Sequence, residues 1–104
     1  MHRLLISYGE PADKGAFDAH YRDVHVPLAG RMPGLVRYTY GHGQSVDPAQ
    51  PVPYLVAELD FDSLAAMGEA FASPEGQAAS ADVATFATGG ATFVHFDVQQ
   101  AGGR

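Results

Sequence analysis

Apolar and polar positions divide this chain into short segments with two different periods. Arg3 to Tyr8 is an apolar-rich run closed by Gly9 and Pro11, which predicts a strand. From about Lys14, with Asp13 as N-cap, Phe17, Tyr21, Val24 and Leu28 recur at helical spacing. At about 100° per residue these four fall within a stripe of roughly 60°, a buried face. Pro27 lies inside this pattern, lacks an amide hydrogen and crowds the carbonyl of Asp23, so a kink or restart is expected there. After Met32-Pro33-Gly34, residues Leu35 to His42 read as a second strand, rich in aromatic and β-branched side chains. Gly43, Pro48, Pro51 and Pro53 mark a surface loop. Tyr54 to Phe61 is the third strand.

Asp62 or Ser63 then caps a helix running to about Ala72, packing through Leu64, Met67, Ala70 and Phe71. Ser73-Pro74-Glu75 starts a further helix toward Phe86, with Ser as cap and Pro at the first helical position. Thr88-Gly89-Gly90 breaks the chain before a last strand, Thr92 to Val98. One domain over residues 1–98 and a flexible tail over 99–104 are expected.

The order is βαββαβ with the second helix split, an α+β ferredoxin-like arrangement around a four-stranded antiparallel sheet. Its helices cover one face. On the other face polar residues should alternate with apolar ones. Here both parities are apolar: Leu4, Ile6 and Tyr8 against Leu5; Leu55, Ala57 and Leu59 against Tyr54 and Val56; Phe93 against Val94 and Phe96. The expected cover is a second copy, sheet to sheet, giving a homodimer of the dimeric α/β barrel type.

Composition sharpens this picture. Only 17% of the 104 residues are charged, below the usual quarter or so. The net charge of −6, with six scattered basic residues, argues against nucleic acid and anionic membrane surfaces as partners. Cysteine is absent, which excludes disulfides, thiolate metal sites and cysteine nucleophiles. No apolar run approaches the roughly 20 residues of a membrane span, and the first strand is too short for a signal peptide. A cytoplasmic location is expected.

Two blocks of residues carry a family resemblance. The first holds Phe17, His20-Tyr21, His25-Val26-Pro27-Leu28, then Pro33-Gly34-Leu35 with Tyr38. The second holds Glu58 to Leu64, Ser73-Pro74-Glu75-Gly76, Ala81-Asp82 and Phe86. In order and spacing they resemble the EthD family over most of residues 3–98. The resemblance implies a dimeric barrel with a pocket between helices and sheet in each subunit. It also implies membership of a group named for ether degradation and loosely classed with oxidoreductases. Wider relatives on this barrel include cofactor-free monooxygenases, isomerases, cyclases and some haem proteins, so the fold alone does not select a chemistry.

His25 leads the candidate residues. It lies about 60° from the centre of the helical stripe and two residues before Pro27. A histidine at the edge of an apolar cavity titrates near neutrality, as a general acid or base must. In isomerase relatives the matching histidine lines the active pocket. Tyr38 is the second candidate, placed on one strand face with Val36, Tyr40 and His42, where its hydroxyl can meet a substrate oxygen. Tyr21, Leu28, Tyr40 and His42 are expected to line the substrate pocket, with Ala16, Ala29 and Ala57 leaving room for it.

His20 falls about 140° from His25 on an α-helix, so the two cannot share a metal. His42 and His95 lie on opposite edge strands, and no metal site is expected. Glu58, if buried, needs a partner such as Arg37, and Asp82 is expected to cap or tie down the last helical turn. The leading expectation is a cofactor-independent isomerase, cyclase or oxygenase. It would act on a small apolar or aromatic metabolite, with His25 as acid/base and Tyr38 as hydrogen-bond partner. The alternative is a non-catalytic dimer carrying a hydrophobic ligand or haem, with His25 or His95 as axial ligand.

Overall fold

In the computed structural model, which describes residues 1–103, nine elements follow one another along the chain. They are β1 (His2–Tyr8), α1 (Lys14–His20), a π-helical turn (Tyr21–His25), α2 (Val26–Ala29), β2 (Leu35–His42), β3 (Leu55–Phe61), α3 (Leu64–Ala72), α4 (Pro74–Phe86) and β4 (Ala91–Asp97). The strands form one antiparallel sheet in the order β2-β3-β1-β4, the ferredoxin-like topology. Asp13, Ser63 and Ser73 cap α1, α3 and α4, each accepting at 3.0 Å from the amide three residues on. Leu4, Ile6 and Tyr8 of β1 and Leu55, Ala57, Leu59 and Phe61 of β3 form the sheet side of the core, beneath Phe17, Tyr21 and Phe86. Among the described residues, no helix is long and apolar enough to cross a membrane.

The expected kink at Pro27 takes the form of the π turn. The Val26 amide reaches back five residues to the carbonyl of Tyr21, where an α-helix reaches four. Pro27 has no amide hydrogen for Asp23, and the chain widens ahead of the ring instead of breaking. The buried ladder is therefore Phe17, Tyr21, His25 and Ala29. Val24, expected in the stripe, is 41% exposed, and Leu28 is only half-buried. His25, expected at its edge, is 3% exposed.

A bulge makes the second difference. Leu35 pairs with Phe61 and Tyr38 with Leu59, so β2 fits an extra residue against β3. Tyr38, Tyr40 and His42 stand opposite Leu59, Ala57 and Leu55 and share their helix-side face. Val36, expected on that face, is half exposed at the bulge, and Leu35 takes the place.

The face away from the helices differs from expectation as well. It carries Leu5, Val56, Val94 and Phe96, but Arg3, Glu58 and Asp60 occupy it too. Arg3 grips Asp60 through two hydrogen bonds of 2.7 and 3.1 Å and reaches Glu58 at 3.3 Å. The partner of Glu58 is thus Arg3, across the β1–β3 pair, rather than Arg37. Tyr54 precedes β3 and turns to the helix side, where its hydroxyl donates to Asp18 at 2.8 Å.

Candidate active site

The gap between sheet and helices holds a cavity of about 480 Å³. α4 forms one wall with Ala79, Val83, Ala84 and Ala87, whose small side chains leave the space open. Ile6, Leu59 and Phe93 form the floor, and Met32 and Phe71 close the sides. The polar lining comes from His25, Tyr38 and Ser80, and no charged side chain is part of it.

The π turn sets the His25 ring on the carboxylate of Asp82, with Nδ1 to Oδ2 at 2.9 Å. Residues five apart lie nearly over one another in such a turn, which brings His20 to the same carboxylate. Its Nε2 sits 2.9 and 3.0 Å from Oδ1 and Oδ2. The expectation that His20 and His25 point apart assumes α-helical geometry throughout, and the widened turn overturns it. Thr85 Oγ1 shares its one proton between the backbone carbonyl of Asp82 at 2.6 Å and Oδ1 at 3.1 Å. Of the two roles expected of Asp82, cap or tie, the tie is the one it takes: it stands inside α4 and joins that helix to α1 and the π turn.

A carboxylate accepts only, so the His25 nitrogen facing it carries the proton and the neutral ring keeps its Nε2 lone pair free. The ring packs on Phe86 at 4.8 Å and Tyr21 at 5.3 Å between centroids. Burial pushes the His25 imidazole below its ordinary value, against the pull of Asp82. For Asp82, burial favours the neutral acid, but hydrogen bonds from His20, His25 and Thr85 prevail and hold it below the usual carboxylate range.

Tyr38 reaches the cavity from β2, and its hydroxyl lies 2.7 Å from that of Tyr21. Burial pushes the Tyr38 phenol up to about 12, so it stays protonated as a donor at neutral pH. Tyr21 lies beneath the cavity, outside its lining. Tyr40 and His42 line a separate recess of about 190 Å³ with Asp18 and Arg22, where His42 Nε2 meets Asp18 at 3.1 Å. Leu28 lines neither space. Ala29 does line the cavity, whereas Ala57 is buried in the core and Ala16 borders a groove beside α1.

The small-residue wall of α4 has a sequence signal in Ala79, Val83 and Ala87 at steps of four. The partnership of Asp82 has no such sign, since it depends on a local change of helix type. His95 is held away from the cavity lining, its Nδ1 2.8 Å from His2 Nε2, while His2 Nδ1 binds Asp97 at 2.8 Å. Among the described residues no group of three histidine or acidic side chains is arranged to hold a metal ion.

These features define a ferredoxin-like α+β protein with a histidine-bearing cavity between its helices and sheet. Residues 9–90 match the EthD domain, and the chain belongs to the EthD family. An uncharacterized 11.0 kDa protein in the thcB–thcC intergenic region of Rhodococcus erythropolis is 50% identical over 97 residues, covering 93% of this chain and 94% of that one. A crystal structure of an EthD-family protein from Bacillus halodurans matches with a TM-score of 0.88 at 29% identity, covering 95% and 99% of the two chains. The fold is shared with a mutant form of SnoaB, a cofactor-independent oxygenase of Streptomyces nogalater (TM-score 0.70, 16% identity, 96% and 94% covered). It is shared too with a dimeric ferredoxin-like protein of unknown function from Thermobifida fusca (0.71, 15%, 93% and 90%).

Proposed function

We propose that this protein is a cofactor-independent enzyme acting on an uncharged, largely apolar small molecule, with His25 as its general acid/base. The observation that carries this reading is the cavity lining: apolar walls, no charged group, and an imidazole facing the same space as a phenol. A ligand carboxylate or phosphate would lose its water there and find no cation, a cost of several kcal/mol or more. A neutral molecule with one acidic C–H or O–H beside an oxygen meets no such penalty. His25 Nε2 takes the proton, Asp82 steadies the resulting imidazolium through Nδ1–H, and Tyr38 donates to the oxygen on which charge collects. Isomerisation, cyclisation and simple oxygenation can all begin with that step. The cofactor-independent oxygenase among proteins of the same fold agrees with this reading.

Two copies pair through the sheet face opposite the helices in the same proposal. Val94 and Phe96 stand about half exposed there, and the Thermobifida fusca protein of this fold is a dimer.

The test follows deuterium uptake at the carbon beside the carbonyl of 2-tetralone, a neutral apolar ketone. Uptake above the buffer rate that His25→Gln abolishes is the expected result. Uptake at the buffer rate, together with an unmoved His25 ring signal on adding ketone, overturns the proposal.

A further inference from the structure

His20 has no role in the proposed proton transfer, yet it occupies the same carboxylate as the proposed base. Its Nε2 lies 2.9 Å from Oδ1 of Asp82 while His25 Nδ1 lies 2.9 Å from Oδ2. The two imidazoles differ in surroundings: the His20 side chain is 31% exposed and that of His25 only 4%. His20 stacks on Phe86, the same ring that packs against His25. One carboxylate can fully offset one positive charge. A first proton on either ring leaves the three-residue group neutral, and a second leaves it with a net positive charge in a half-buried setting.

We infer that His20 belongs to the acid–base site, and that His20, Asp82 and His25 act as one unit that readily holds a single proton beyond two neutral imidazoles. A proton at the solvent-side ring thereby lowers the appetite of the cavity-side ring for another, so His20 sets when His25 is free to act as a base. The titratable groups facing the unit are few. Tyr21 lies against His25, Tyr38 shares the cavity lining, Tyr8 lies close enough to Asp82 to feel its charge, and Asp13 borders the groove beside His20. Asp82 is the carboxylate among them that bonds both rings. The effect of His20 on His25 is in the same sense, a lowering.

As a catalytic device the unit rests on the proposed role of His25, but the coupling itself is measurable without a substrate. The experiment is a titration of the histidine ring nitrogens by long-range proton–nitrogen correlation spectroscopy, in wild type, His20→Gln and His25→Gln. Glutamine keeps a side-chain N–H for Asp82 and adds no charge. In His20→Gln the proton affinity of His25 should rise on the order of tenfold, because its proton is then the first on the carboxylate, and His25→Gln identifies the His25 signals by their loss. A role limited to anchoring α1 on α4 would leave the His25 curve where it was. Superimposable His25 curves in wild type and His20→Gln overturn the inference. Coupling seen with no response of His25 to 2-tetralone would instead count against the proposed function alone.

Discussion

His25 and Asp82 stand fifty-seven positions apart in the chain and meet at 2.9 Å, Nδ1 to Oδ2, between the π turn and α4. That contact fixes which nitrogen of the buried ring carries the proton. It also makes one carboxylate the acceptor for two imidazoles and the Thr85 hydroxyl.

Asp82→Ala removes that acceptor and leaves a buried imidazole without a partner. The expected loss is about 1–3 kcal/mol of unfolding free energy in urea at pH 7. The pH dependence has a definite sign. A carboxyl held below its unfolded value stabilises the fold above that value, and the contribution disappears as pH falls through the folded one. The gap between wild type and Asp82→Asn should therefore narrow below about pH 4. His25 acts in the same direction at higher pH. Its folded value lies below the ordinary 6.5, so the unfolded chain protonates first and stability declines beneath that pH. His25→Gln should flatten this part of the curve.

The tyrosines under the cavity should respond unequally to loss of a hydroxyl. Tyr38→Phe strands the hydroxyl of Tyr21, which is 1% exposed, and is expected to cost about 1–3 kcal/mol. Tyr21→Phe leaves Tyr38 with the cavity as an alternative and should cost about 0.5–1.5 kcal/mol. Tyr8 is the reverse case. Its buried hydroxyl makes no hydrogen bond of ordinary geometry and has only the Tyr21 hydroxyl near it, so Tyr8→Phe should cost nothing and raise stability by up to about 1 kcal/mol. Urea midpoints of the three variants, compared at constant slope, decide each point.

Where α3 and α4 join, Gly76 leaves no space for a side chain: a Cβ there would overlap the Ala70 carbonyl and crowd the Phe71 backbone. Both obstacles are backbone and cannot swing aside. Gly76→Ala should cost about 3 kcal/mol or more, although alanine is the better helix former. Gly68 lies in α3 with nothing near its missing Cβ, so Gly68→Ala should stabilise by about 0.5–1 kcal/mol in the same denaturation assay.

What the sequence reveals about this fold follows from how local each feature is. Strand parity in β1 and β4, the caps at Asp13 and Ser73, a cap at Ser63 (one of the two residues the pattern offers) and the break at Gly89-Gly90 are set by residues within a turn of one another, and these appear where the pattern puts them. Tyr38 and His25 both reach the cavity for the same reason: each sits on a face that burial dictates. The misses have a common cause in small irregularities. One extra residue at the Leu35–Arg37 bulge moves Val36 out of register, and one wide turn moves His25 into the slot of Val24. Periodicity is blind to both, because it assumes a constant angle per residue. Arg3 as the partner of Glu58 and Asp60 escapes a sequence reading too, because the pairing depends on which strand lies beside β3 on each side.

The exposed sheet face offers the last prediction. Along β4, Val94 and Phe96 are 50% and 41% exposed on the side away from the helices, next to Leu5 of β1. The ion cluster of Arg3, Asp60 and Glu58 shares that face, and Arg3 already shields Asp60, which is only 2% exposed. The face is thus apolar along one edge, while beside it Arg3 offsets the buried Asp60 and leaves Glu58, whose side chain is 40% exposed, as one net negative charge to be kept at the wet rim of the pairing. Val94→Asp places an unpaired carboxylate in that seam, at a position whose exposure in the single chain lets the subunit fold undisturbed. Sedimentation velocity should show wild type at about twice the 11.0 kDa chain mass and the variant at that mass, with unchanged far-ultraviolet circular dichroism. A wild type that already sediments as one chain, or a variant that still sediments as two, removes this face as the site of pairing.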